Sequence, residues 1–209
     1  SHHFCSSYGI VKAIVNPKNR KKGNPFDLSD TKTPITKDML LTEYISDSPK
    51  LYQMIKTEKN DNVLYSSIKQ IMMAITLAQR ECSFTHYDLH SDNIMMRKCD
   101  KDIVHLYVLD EDNQFLVPTY GYSPVIIDYG FSYADTMNNG PLWTSLAHTQ
   151  AGILSDRMDW VADPKLFLVT VSVEMKAYRN NGRSRMFRNI VENLFGTLNI
   201  DWDAGWDYY

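Results

Sequence analysis

The sequence predicts an α+β fold, with a mainly helical larger part preceded by a short stretch of strands. Three observations carry that expectation. Residues 8–15 (YGIVKAIV) and 39–45 (MLLTEYI) are rich in β-branched and apolar side chains and are bounded by breakers, the pattern of strands. Residues 63–82 repeat apolar positions at Leu64, Ile68, Ile71, Ile75, Ala78 and Cys82, the three-and-four spacing of a helix that buries one face. After residue 160 the apolar runs lengthen again into two helical patterns.

Taken in order, the 39–45 strand is read as buried and is stopped by Ser46-Asp47-Ser48-Pro49, with Ser48 as N-cap and Pro49 at the first position of a short helix to about residue 56. Residues 16–34, with Pro17, Gly23 and Pro25 among many charges, read as an exposed loop. Beyond the long helix, Ile94-Met95-Met96 suits a short strand. Residues 103–109 (IVHLYVL) and 114–117 (QFLV), separated by Asp110-Glu111-Asp112-Asn113, form a hairpin whose acidic tip lacks the Gly and distal Glu of a Ca²⁺ loop and reads as solvated. Pro124-Val125-Ile126-Ile127 is a buried strand ending at Asp128. Residues 131–158 lose the pattern, and their hydroxyls Ser132, Thr136, Thr144, Ser145 and Thr149 read as plain surface residues. Asp163 as N-cap and Pro164 open a helix that is apolar on nearly every face as far as Met175. Residues 183–195 make a last amphipathic helix capped by Gly196, and the acidic, aromatic tail 201–209 is either a packed strap or a docking peptide.

Two segments carry the chemistry. The first is Thr85-His86-Tyr87-Asp88-Leu89-His90-Ser91-Asp92-Asn93, and the second is Ile127-Asp128-Tyr129-Gly130. Phosphoryl transfer asks little covalent work of a protein. It needs a hydroxyl held in line with the γ-phosphate and cations that neutralise developing charge. A His-x-Asp-x-x-x-x-Asn spacing followed by a carboxylate at the end of an apolar strand provides for both needs. Asp88 is the candidate base or orienting group for the hydroxyl, and Asn93 with Asp128 is a hard-oxygen pair suited to Mg²⁺. His86 reads as a structural residue that fixes the loop by hydrogen bonding.

With these residues the chain resembles a eukaryotic-type protein kinase, and most of all the haspin branch. The resemblance runs from about residue 39 to residue 175, on the long helix leading into FTHYDLHSDNIM, the hairpin after it and VIIDYGFSYAD. Asp88-Leu89-His90 where most kinases have Asp-x-Lys, the Asp128-Tyr129 start of the metal motif and the missing Ala-Pro-Glu are all features that haspin-like sequences share. The resemblance implies a kinase-like fold with a large helical lobe over residues 48–209 and the last strands of a small lobe plus hinge over residues 1–47. It implies Ser/Thr hydroxyls of a protein substrate as acceptors, and ATP and Mg²⁺ as cofactors. Asp88, His86 and His90 are then the catalytic-loop residues. Thr42 stands at the gatekeeper position, Glu43, Tyr44 and Ile45 offer groups to the adenine edge, and Met95 and Ile127 form the floor beneath it. Asp163 joins His86 in anchoring the loop. The composition also resembles that of sequences from large DNA viruses.

The chain departs from that family in its first forty residues. Gly9 and Gly23 form no Gly-x-Gly-x-x-Gly, and Lys12 has no motif to mark it as the nucleotide lysine. The expectation is therefore a segment of a longer kinase, with two alternatives: a pseudokinase acting as a binding module, and a small-molecule phosphotransferase of the aminoglycoside or choline kinase type.

Composition narrows the rest. A formal charge of −3 and an isoelectric point near 6.0 leave no basic footprint for nucleic acid. No apolar run approaches the ~20 residues of a membrane-spanning helix, and no signal peptide opens the chain. Cys5, Cys82 and Cys99 are odd in number and widely spaced, which points to reduced thiols and an intracellular setting, cytoplasm, nucleus or virion. His2, His3 and Cys5 read as a loop or tag remnant, because no second ligand pair follows at zinc spacing.

Overall fold

The computed structural model describes residues 2–15, 33–137 and 156–197. The tail at 201–209, most of the 16–34 loop, and Thr144, Ser145 and Thr149 lie outside the described residues. The chain divides into two units, Cys5–Tyr44 and the remainder.

The smaller unit is an antiparallel ribbon of β1 (Ser7–Val15) and β2 (Ile35–Thr42), with Gly9 opposite Leu41 and Val11 opposite Met39. The register slips between Ser7 and Gly9, and Gly9 sits at φ +120°, a backbone conformation that costs glycine little. The sequence reading requires correction here. The second strand begins at Ile35 and ends at Thr42, and it is not buried: Leu40 is 62% and Leu41 42% exposed. Its side chains suit a strand, but among the described residues of this unit no further layer covers them.

The larger unit is α+β, as the sequence predicts. It contains helices α1 (Leu51–Thr57), α2 (Asp61–Cys82), α3 (Ala162–Arg179) and α4 (Gly182–Leu194), with strands β3 (Ile94–Lys98), β4 (Val104–Val108), β5 (Gln114–Pro118) and β6 (Tyr122–Ile126). β4 and β5 form the expected hairpin, its tip fastened by Asp110, whose Oδ1 accepts from the backbone N–H and side-chain amide of Asn113. β3 pairs antiparallel with β6, Ile94 opposite Ile126, which brings together two segments about thirty residues apart in sequence.

Each helix start follows from a local donor problem. α1 is capped by Lys50, not by Ser48, and Gln53 reaches back to the Lys50 N–H at 3.0 Å. Pro49 is drawn away from the helix because its carbonyl accepts from Met96 N–H at 2.8 Å, so strand contact overrides the local capping signal. Asn60 caps α2, its side chain accepting from Asn62 N–H. α3 begins at Ala162 with Val161 as cap, so Asp163 lies inside the first turn rather than at the N-cap. Asn181 and Ser184 form a reciprocal capping box on α4.

The core lies where α2, α3, α1 and the β3/β6 pair meet. Leu51, Ile55, Leu64, Ile71, Ile75, Leu89, Ile94, Met96, Ile126, Phe167 and Met175 are all essentially solvent-free. α3 is less enclosed than its sequence suggests, because Leu168 and Val173 are only half-buried. At its C-terminal end Arg179 fastens the α1–α2 junction. It donates to Asp61 Oδ1 at 2.6 Å, to the Ile55 carbonyl at 3.1 Å and to the carbonyl of Glu58.

Residues 2–4 also belong to this unit: the expected loop is a turn at His2 and His3 that leads into a bridge at Phe4, so these residues are part of the fold. Phe4 bridges to Ile126, and Ile126 N–H donates to the His3 carbonyl at 2.8 Å. His3 is 2% exposed, and burial pushes its imidazole down to about 4.

Candidate active site

α2 ends at Cys82, and Ser83 turns the chain through the left-handed region (φ +49°) into the loop that carries the first motif. That loop is held from two sides. Thr85 exchanges backbone hydrogen bonds with Tyr133 at 2.9 and 2.8 Å. Below it, the buried carboxylate of Asp163 accepts from His86 N–H at 2.7 Å and from Tyr87 N–H at 2.9 Å. These two bonds hold Tyr87 at φ +64°, an uncommon conformation for an aromatic residue and one that clusters at functional sites. Burial pushes Asp163 up to about 7, against the pull of the same two N–H groups.

His86 is solvent-free. Its Nε2 faces the Ile127 carbonyl at 3.0 Å, and Asp88 N–H donates to its Nδ1 at 3.2 Å. The carbonyl can only accept and the amide can only donate, so the ring is the neutral tautomer protonated on Nε2. Burial lowers its pKa, which agrees with that assignment. Phe84 and Tyr129 pack against the ring edge-on.

A closed circuit of hydrogen bonds joins the two motifs. His86 binds Ile127 and Asp88. Asn93 Nδ2 donates to the Asp88 carbonyl at 2.9 Å and to Asp88 Oδ2 at 3.0 Å. The Asn93 carbonyl accepts from Ile127 N–H at 3.0 Å. Asp88, Asn93 and the residue preceding Asp128 are thereby fixed to one another. His90 lies beside them, its Nδ1 accepting from Asp92 N–H and its Nε2 3.4 Å from Asp88 Oδ1.

The donor set fits a magnesium ion. The Asn93 amide nitrogen is engaged by Asp88 and lies 3.2 Å from His90 Nε2, so Oδ1 is the end that can meet a cation. Asp128 is exposed at φ +66° just past β6, and its carboxylate is the second candidate oxygen ligand. These two groups offer hard oxygens, with the His90 imidazole beside them. Of the two residues expected to floor an adenine, Met95 is half-buried on β3 opposite Val125, and Ile127 is half-buried beside Asn93. Ile45 begins the main stretch of the larger unit. Thr42, Glu43 and Tyr44 close the smaller one, where Glu43 N–H donates to the Ser6 carbonyl at 2.8 Å and Tyr44 is 88% exposed.

Sequence reasoning missed one residue of this neighbourhood. Glu174, on α3, accepts from Ser91 Oγ at 2.8 Å, while its Oε2 is buried without a hydrogen-bond partner among the described residues. Burial pushes its carboxyl up to about 7. The available signal was an acid inside the apolar run of residues 166–175.

No protein-family model matches the chain. It is 33% identical over 242 residues to an uncharacterised protein, 098R, of Invertebrate iridescent virus 6, covering 98% of this chain and 40% of the relative. It is 30% identical over 99 residues to a probable kinase, 098L, of Invertebrate iridescent virus 3, covering 46% of this chain and 18% of the relative. The serine/threonine-protein kinase haspin homolog of Drosophila melanogaster is 25% identical over 147 residues, or 68% of this chain and 22% of that protein. The chain thus spans less than half the length of the relatives it matches. In sequence it is similar to kinases and to iridescent-virus proteins.

Proposed function

We propose that this chain is the catalytic segment of an ATP- and Mg²⁺-dependent protein kinase that phosphorylates Ser/Thr hydroxyls. The observation that supports it most is the hydrogen-bond circuit through His86, Asp88, Asn93 and Ile127, which ties the proposed base and the proposed amide ligand to the residue that precedes Asp128. In this reading Asp88 orients the acceptor hydroxyl and takes its proton as the hydroxyl oxygen bonds to the γ-phosphorus and the bond to the ADP oxygen breaks. Asn93 Oδ1 and Asp128 hold Mg²⁺, which supplies charge neutralisation on the phosphates. His86 keeps Asp88 in register and leaves the chemistry to it. His90 shares Asp88 Oδ1 and limits the rotation of that carboxylate. Met95 and Ile127 form the adenine floor, and the assignment of Thr42, Glu43, Tyr44 and Ile45 to the adenine edge rests on sequence order. Transfer to a protein hydroxyl is favoured over a small-molecule acceptor by the likeness to the haspin homolog.

The test is nucleotide binding by the full encoded protein with and without Mg²⁺, for the wild type and Asp128→Asn. The expected result is that Mg²⁺ tightens binding in the wild type and does so at least tenfold less in the variant. Identical Mg²⁺ responses would remove Asp128 from the metal site.

A further inference from the structure

Three imidazoles meet in the larger unit at a place the phosphoryl-transfer residues do not use. His2 and His3 precede the Phe4 that bridges to β6, and His105 stands on β4. Their ligand nitrogens all lie within 4.8 Å of one another. His2 stacks on His105 with ring centroids 4.8 Å apart, and His3 meets His105 edge-on at 5.3 Å. Among the described residues His105 Nε2 is buried without a hydrogen-bond partner. A polar atom left so carries an unmet desolvation cost that a ligand engaging it would offset.

His3 is already oriented. Its Nδ1 donates to the Pro124 carbonyl at 2.7 Å, which leaves Nε2 as the lone-pair nitrogen, 2.6 Å from the Tyr107 hydroxyl. A ring N–H held by a backbone carbonyl while the other nitrogen turns into a cluster is the outer support that metal-ligating histidines use.

We propose that His2, His3 and His105 form a site for a divalent transition metal of the zinc class, with three imidazole ligands and a water in the fourth position. Imidazole suits zinc, copper or nickel, whereas magnesium and calcium take oxygen ligands, so the site differs in chemistry from the Asn93 and Asp128 pair. Tetrahedral coordination at about 2.0–2.1 Å brings nitrogens to roughly 3.4 Å, so the rings draw in by on the order of 1 Å. His2, the exposed member, moves most, and Tyr107 releases His3 Nε2. The ion would tie residues 2–4 to the β4–β5 hairpin, and His3 and Phe4 contact β6, the strand that leads to Asp128, at Pro124 and Ile126.

The experiment uses the full encoded protein, free of any affinity tag and stripped with a chelator, titrated with Co²⁺ and then Zn²⁺. The expected result is one Co²⁺ per chain at micromolar concentration, with a tetrahedral visible band that Zn²⁺ displaces. His105→Ala should lose at least tenfold in affinity. Tyr107→Phe, which removes the competing hydroxyl, should bind at least as tightly as the wild type, and Asp128→Asn should keep the band. His105 is only partly buried, so its variant is the one to rely on, with a circular-dichroism melt to establish folding; His3→Ala is the secondary variant. No band at micromolar Co²⁺, a wild-type titration in folded His105→Ala, or a band lost in Asp128→Asn would each overturn the proposal.

Discussion

The side-chain amide nitrogen of Asn93 lies against Asp88 twice, 2.9 Å from the backbone carbonyl and 3.0 Å from Oδ2, with His90 Nε2 3.2 Å away beside them. One residue therefore aims the proposed base and carries the amide oxygen proposed to meet the metal. Asn93→Ala removes both roles. Phosphate transfer should fall at least about 100-fold, with a loss of Mg²⁺-dependent nucleotide affinity in the same variant. Steady-state kinetics together with nucleotide titration checks this; a variant that loses rate but keeps the Mg²⁺ response would leave Asn93 as an orienting group alone.

Asp163 is expected to matter first for stability. Its carboxylate is the partner of two buried N–H groups, those of His86 and Tyr87. Asp163→Ala leaves both unsatisfied and should lower unfolding free energy by about 2–4 kcal/mol, read as a drop in the urea midpoint. An unchanged midpoint would show that the loop does not hang from α3.

Arg179 gives a comparable prediction far from the chemistry. It closes the α1–α2 junction through Asp61 and two carbonyls, with little exposure of either charged group. Arg179→Ala should cost about 3–5 kcal/mol, because Asp61 is left as an uncompensated, mostly buried charge. Arg179→Lys should recover only part, since an ammonium lacks the fork that reaches three acceptors. Full recovery by lysine in thermal melts would contradict the fork argument.

Glu174 sets a pH dependence. Burial raises its carboxyl from 4.5 to about 7, so the folded state binds the proton more tightly than the unfolded chain. That contribution to stability is complete below about pH 4.5 and is lost as pH rises toward and through 7. Glu174→Gln should remove this part of the decline, a change on the order of 3 kcal/mol between the two ends of the window. Parallel stability–pH curves for wild type and variant would show that Glu174 titrates normally.

What could be read from the sequence was whatever local pattern determines. The α2 stripe from Leu64 to Ile75, the β4–β5 hairpin and the end of β6 before Asp128 all stand where their spacing implies. The failures arose where distant contacts outweighed local preference. Pro49 looked like a helix starter, but its carbonyl is taken by Met96 N–H. Asp163 looked like an N-cap, but its oxygens serve N–H groups 77 and 76 positions earlier. Leu40 and Leu41 have strand chemistry, yet burial depends on a covering layer that no strand pattern encodes. His2 and His3 gave no ligand spacing with Cys5, because the imidazole that joins them is His105, a hundred residues on. The Asp88 to Asn93 spacing was legible, but the circuit through His86 and Ile127 that fixes it was not, since it depends on the β3/β6 register.

The most direct test is transfer of labelled γ-phosphate from ATP to a mixed protein substrate by the full encoded protein, comparing wild type with Asp88→Ala. The account predicts that the variant binds nucleotide with near wild-type affinity and transfers at least about 100-fold more slowly. Transfer by Asp88→Ala at the wild-type rate would contradict it.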